Sequence, residues 1–154
     1  MTASIRQQLV DAIEARLGSI APGVAFQLPG GSYVCQGTIK GVYPWRKAAF
    51  SQTEVPAIKL DDADAKTSPG PSTMHEHKLQ VDLELYVAGK TSTSAVRSLM
   101  ADVIAAVGSD PRWGGLAYWT DIDGHTVDVE QAGDVISAAL VNLTVTYRTP
   151  LWRM

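Results

Sequence analysis

The chain has a single cysteine, Cys35, among 154 residues. No intrachain disulfide can form, and a reducing compartment is the simpler setting. A basic surplus is missing as well: 13 Lys and Arg stand against 16 Asp and Glu, a formal charge of −3. Wrapping nucleic acid needs a basic surface, so that class is disfavoured, while a local basic patch stays compatible. The opening MTASIRQQLVDAIEARLG carries Arg6, Asp11, Glu14 and Arg16 inside its periodic part. It therefore reads as neither a signal peptide nor a membrane span. Nucleophile and phosphate motifs are absent too. There is no Gly-x-Ser-x-Gly elbow, and Pro29-Gly30-Gly31-Ser32 lacks the Lys and Ser/Thr of a P-loop. No internal repeat and no dividing linker occurs, so 1–154 is most simply one domain, long enough to bury roughly 70% of its unfolded-chain surface.

What is present is a sharp change of period. From Leu79 to Val87 the apolar residues alternate (Leu79, Val81, Leu83, Leu85, Val87), which predicts a strand with one dry face. After Gly89, the residues Val96, Leu99, Met100, Val103, Ile104 and Val107 fall at helical spacing. Thr91 to Ser94 offer N-cap hydroxyls for that helix, and Gly108 with Pro111 stops it. An earlier helix begins at Ser4-Ile5-Arg6-Gln7, spaced as a capping box, and runs through Ile5, Leu9, Ile13 and Leu17 to Gly18 and Pro22. Short β-rich runs follow at 24–28, at 33–43 (interrupted by Gly37 and Gly41) and at 55–60, where Pro56 predicts an edge or a strand start. The segment Asp61 to Thr73, DDADAKTSPGPST, has no period and predicts a flexible surface loop that a partner orders. Further strands are expected at 116–122 and 125–129, joined by an Asp123-Gly124 hairpin turn, and at 136–149. In the last of these Val141, Leu143, Val145 and Tyr147 share a face. The expectation is an α+β fold: a mainly antiparallel β-sheet with two principal helices packed on one face.

Candidate chemistry is thin. His75-Glu76-His77 places two imidazoles on one face of an extended segment, and only His125 offers a third. A zinc site needs three or four ligands, so the motif reads as the polar start of a strand. Asp61, Asp62 and Asp64 lack the Asp-x-Asp-x-Asp-Gly spacing and distal Glu of a calcium loop, and Asp121-x-Asp123-Gly124 lies between strands. Cys35 reads as a small buried apolar residue. Asn142-Leu143-Thr144 matches a glycosylation sequon but falls in the closing strand, and no modification is expected. Arg46 with Lys47, and Arg148 with Arg153, read as solvated charge. No enzyme activity, cofactor or metal is expected. A flexible loop, an aromatic-bearing tail and exposed strand edges are features that assembly subunits use.

Six stretches carry a family resemblance: IRQQLVDAIEARL, PAIKL before the loop, LQVDLELYV, VRSLMADVIAAV, the GGLA turn and LVNLTVTYRTP. In element order and hydrophobicity they resemble the tail terminator (tail completion, minor tail protein) family of long-tailed bacteriophages over most of the chain. The resemblance implies a virion protein at the neck end of the tail, assembled in the host cytoplasm as a homo-hexameric ring. Such a ring caps the tail tube, ends its polymerisation and forms the docking surface for the head and its connector. Genomic DNA passes through without sequence-specific binding, and no membrane is involved. Under this reading Asp61, Asp62, Asp64, Lys66, Pro69 and Pro71 in the loop, with Trp152 and Arg153 in the tail, are the candidate subunit or tube contacts. The alternatives are another head–tail neck subunit, or a small metal-dependent enzyme using His75, His77 and the acidic cluster.

Overall fold

The computed structural model describes residues 3–89, 92–132 and 134–153. In chain order the elements are α1 (Ile5–Gly18), β1 (Ala25–Leu28), β2 (Gly31–Val34), β3 (Gly41–Pro44), β4 (Ala57–Asp61), β5 (Ala65–Pro69), β6 (Met74–Ala88), α2 (Ser92–Ser109), a 3-10 turn (Trp113–Gly115), β7 (Trp119–Ala132) and β8 (Asp134–Pro150). The segment with the cleanest alternation is the spine. β8 pairs with β6 along the full length of β6, from Met74↔Pro150 to Ala88↔Ile136. The other edge of β6 is shared: β5 takes 75–79 and β4 takes 82–86. The sheet order is β3-β4-β6-β8-β7, all antiparallel except β3 with β4, and β1–β2 is a separate hairpin.

This is an α+β fold with the helices on one sheet face. Leu79, Val81, Leu83 and Leu85 are fully buried, as are Val141, Leu143 and Val145 opposite them on β8. They join Leu9, Ile13 and Leu17 of α1 and Val96, Leu99, Val103 and Val107 of α2 in one core. Each such aliphatic side chain contributes about 1.5–3 kcal/mol before conformational entropy is subtracted. The capping box forms only by half. Ser4 Oγ accepts from the Gln7 backbone N–H at 3.1 Å, but the Gln7 amide reaches forward to Asp11 at 2.8 Å. Thr91 lies outside the described residues; Ser92 is buried, its hydroxyl bonded to that of Ser137 at 2.8 Å. No helix among the described residues is long and apolar enough to cross a membrane.

Two expectations need correction. The 61–73 segment is not structureless, since residues 65–69 form β5, paired with β6 from Ala65↔Leu79 to Pro69↔His75. A strand without hydrophobic period arises there because the exposed edge of β6 supplies its hydrogen bonds and neither face of so short an edge must be dry. Asp123-Gly124 is not a hairpin turn. β7 runs straight through it, with a register shift between Ile122 and Gly124 that marks a β-bulge. β8 remains a continuous template past this point, so an extra residue is absorbed without reversing the chain, and the Thr144 hydroxyl donates to Asp123. Pairing with β8 continues instead as far as Ala132↔Asp134. Pro56, by contrast, directly precedes β4, the strand start expected of it, and β4 is interior, flanked by β3 and β6.

Candidate functional site

Two surface regions stand out, on opposite margins of the sheet. The first gathers the tip of the β5–β6 hairpin and the C-terminal tail. Leu151 N–H donates to the Thr73 carbonyl at 3.3 Å, and the Thr149 hydroxyl donates to the Arg153 carbonyl at 2.8 Å. Together they hold the tail against the hairpin. Trp152 is 90% exposed, and its ring approaches His75 edge-on at 5.2 Å between centroids. Beneath it His77 is buried and stacked on Tyr147 at 4.8 Å. Both of its ring nitrogens are engaged, Nδ1 by the Thr67 hydroxyl at 2.9 Å and Nε2 by that of Thr149 at 2.8 Å. Burial, then His75, pushes the His77 pKa down, which favours the neutral ring. His77 therefore bolts β5 and β8 to β6. Among the described residues no three His, Cys, Asp or Glu side chains converge as a metal ion requires.

The candidate interface residues separate into two groups. Lys66, Pro69, Pro71, Trp152 and Arg153 are exposed around this tip, while Asp64, also exposed, closes β5 by accepting the Gln80 N–H through its carbonyl at 2.7 Å. Asp61 and Asp62 turn inward. Asp61 pairs with Lys59 at 3.3 Å, and Asp62 accepts from Arg6 Nε at 2.9 Å and the Trp45 indole at 2.7 Å. Asp62 thus ties α1 and the residue after β3 to the end of β4, whereas Asp61 pairs within β4 and its Oδ1 is buried without a hydrogen-bond partner among the described residues. The basic pairs are likewise less free than their sequence spacing implied. Arg46 binds Glu54 and lies over Phe50 at 4.3 Å; Arg148 binds Glu76 at 3.3 Å and lies over Tyr118 at 4.3 Å.

The second region is a groove of about 970 Å³ between the β1–β2 turn, the outer side of α2 and the start of β7. Leu28, Tyr33, Ile104, Ala105, Trp119 and Ile122 line it. Of the seven large apolar side chains exposed among the described residues, Trp119 and Ile122 line this groove and Leu151 and Trp152 lie on the tail. Four of the seven fall in these two patches, a clustering that isolated surface hydrophobes do not show.

The chain matches no protein-family model and no curated protein. Its surfaces must therefore be read from their own chemistry.

One wall of the groove is set by a buried carboxylate that periodicity does not reveal. Asp102 is fully buried on α2; its Oδ1 accepts from the Tyr33 hydroxyl at 2.7 Å and the Gln36 N–H at 3.3 Å, and its Oδ2 from the Gly37 N–H at 2.8 Å. A Cβ on residue 37 would sit 2.9 Å from that oxygen, which accounts for the glycine interrupting the β-rich run. Cys35, also buried beside it, is the small apolar residue expected. Burial, the bond to Asp102 and the nearby negative charge push the Tyr33 hydroxyl from 10 up to about 12. The folded state thus holds the phenol neutral. The associated stability is fully present below about pH 10 and is lost as pH rises through about 12. Urea midpoints measured from pH 8 to 11.5 are expected to fall above pH 10 for the wild type and to fall less for Tyr33→Phe. Cys35 and Tyr147 shift in the same direction and supply the remaining slope. Parallel curves for the two proteins would sink this assignment.

Proposed function

We propose that this chain is a structural assembly subunit of the tail-terminator type, which closes into a ring on the end of a phage tail tube and stops its growth. The observation that carries the reading is the pair of free margins. β5 and β7 pair on one side only, on opposite borders of the sheet, and each carries exposed apolar residues beside it. A cyclic ring is built from heterologous contacts, which need two different patches per subunit facing away from each other. The uncovered sheet face adds support. Asp61, Glu76, Asp82, Glu84, Asp121, Asp123 and Asp128 outnumber Lys59, Lys66, Lys78 and Arg148 there, a balance that disfavours phosphate and suits a protein past which DNA slides.

Negative-stain electron microscopy of the protein, alone and mixed with tubes assembled from its cognate tube protein, tests the proposal. Six-fold rings, and caps at one tube end only, are expected. A protein that never touches tubes removes this function and shifts the reading to a neck subunit.

A further inference from the structure

We infer that His77 is an acid-sensitive latch: while neutral it clamps the tip of the β5–β6 hairpin and the C-terminal tail to the sheet, and protonation loosens both. The inference does not depend on the ring reading. It concerns how the tip that displays Trp152 is held.

The hydrogen-bond chain through this ring has one direction, and that direction fixes its tautomer. The Thr149 hydroxyl has a single proton, which goes to the Arg153 carbonyl at 2.8 Å, an oxygen that can only accept. At its other contact, 2.8 Å from His77 Nε2, Thr149 must therefore accept, so Nε2 carries the ring proton. Nδ1 is left with its lone pair, and the Thr67 hydroxyl donates to it at 2.9 Å. One continuous run thus passes from β5 through β6 and β8 to the turn of the tail. A second proton on His77 enters at Nδ1, where it meets the Thr67 donor. Thr67 is exposed and can turn its own proton to water, so the lasting cost is the buried charge.

Nothing around the ring is placed to offset that charge fully. His77 is 7% exposed. On β6 its neighbour is His75, 6.2 Å away between centroids, which repels a second imidazolium. On β8 it is the stacked Tyr147 phenol, which burial keeps neutral and whose face attracts a cation only modestly. β5 supplies the uncharged Thr67, and the tail adds the Arg153 cation. Near Tyr147 the Asp62 carboxylate is already engaged by Arg6 and the Trp45 indole. Lys66, Glu76, Lys78 and Arg148 alternate with the latch residues and point to the opposite sheet face. Burial first and His75 second accordingly hold the His77 pKa below its ordinary 6.5. An open tip, with the ring in water, binds the proton more readily than the closed one. The stability of the closed tip is complete above about pH 6.5 and is lost as pH falls below it, towards the folded value. The tip is also a part able to open by itself. β5 has five residues and pairs with β6 alone, and the tail is tied by the single bond from Leu151 N–H to the Thr73 carbonyl besides the Thr149 link.

Hydrogen exchange of the full chain, followed by mass spectrometry at pH 7.5 and pH 5 and corrected for intrinsic rates, tests the latch. Segments 65–73 and 149–153 are expected to open more at pH 5, about tenfold for each unit by which the closed state depresses the ring. The middle of α2 should keep its protection. His77→Gln has no ring to titrate, so its tip should show no such rise. His75→Gln should keep most of the rise, because burial is the larger cause. NMR of the ring nitrogens, which needs no variant, should find the His77 proton on Nε2 at pH 7.5. Equal opening of the wild-type tip at the two pH values overturns the inference. So does an acid response that persists in His77→Gln or is shared equally by α2, or a proton found on Nδ1.

Discussion

Trp113→Ala is expected to lower folding stability by about 3–5 kcal/mol, the range for deleting a large buried aromatic. The indole is 2% exposed, and two interactions converge on it. Its Nε1–H donates to the Thr120 hydroxyl at 2.8 Å, and that hydroxyl donates onward to the Pro111 carbonyl at 2.7 Å. The Arg16 guanidinium lies 3.7 Å from the ring centroid. Arg16 in turn reaches the carbonyls of Ala106, Val107 and Asp110, at 3.2, 3.4 and 2.7 Å, and so satisfies the C-terminal end of α2. The backbone is strained to allow this: Trp113 sits at φ 52°, a left-handed conformation that bulky residues seldom adopt. Asp110 holds the turn by accepting from the Gly114 N–H at 2.7 Å and the Arg112 N–H at 3.1 Å. Those bonds, that to Gly114 first, keep its carboxyl below the ordinary carboxylate value against the opposing effect of burial. Removing the indole opens a cavity, leaves Arg16 without its aromatic partner and retains the backbone strain. Urea denaturation followed by far-UV circular dichroism measures the loss. Trp113→Phe keeps a ring under Arg16 but not the bond to Thr120, and should recover more than half of it. A loss below about 1 kcal/mol for the alanine variant would falsify this account of the turn.

Asp102→Ala is the second large effect, expected at about 3 kcal/mol. The carboxylate is fully buried and accepts three hydrogen bonds from the 33–37 segment. Bonds to a charged acceptor contribute roughly 1.5–3 kcal/mol each, and a buried donor left without a partner costs roughly 1–3 kcal/mol. The loss stays below the sum of these because water can enter beside Tyr33 and because an ion no longer has to be buried. Asp102→Asn preserves shape but turns one acceptor into a donor facing donors, so a loss nearly as large is expected. Chemical denaturation of the three proteins reads the difference directly. Equal stability of wild type and Asp102→Ala would mean that the 33–37 segment holds to α2 by packing alone. The groove should suffer in step, since Tyr33 forms part of its wall.

The sequence by itself determined the spine of this protein. Alternation from Leu79 to Val87 dictated the buried face of β6, and a stripe every three or four residues dictated that of α2, because side-chain direction follows from backbone period. The same logic placed Val141, Leu143, Val145 and Tyr147 on the inner face of β8, and the four-residue step of α1 on Leu9, Ile13 and Leu17. Tertiary structure decided whatever depended on a partner far along the chain. β5 exists because β6 offers it an edge, and nothing within DDADAKTSPGPST encodes that edge. Asp123-Gly124 has turn chemistry, yet pairing to β8 on both sides of it made it a bulge. Asp62 reads as a loop carboxylate until Arg6, 56 residues away, is placed beside it. Asp102 sits within an apolar stripe where a charge is unfavourable, and only the amides of 36 and 37 make its burial tolerable. The groove is the extreme case. Its walls come from β1–β2, α2 and β7, so its shape belongs to their packing, and periodicity records only which face of each element is apolar.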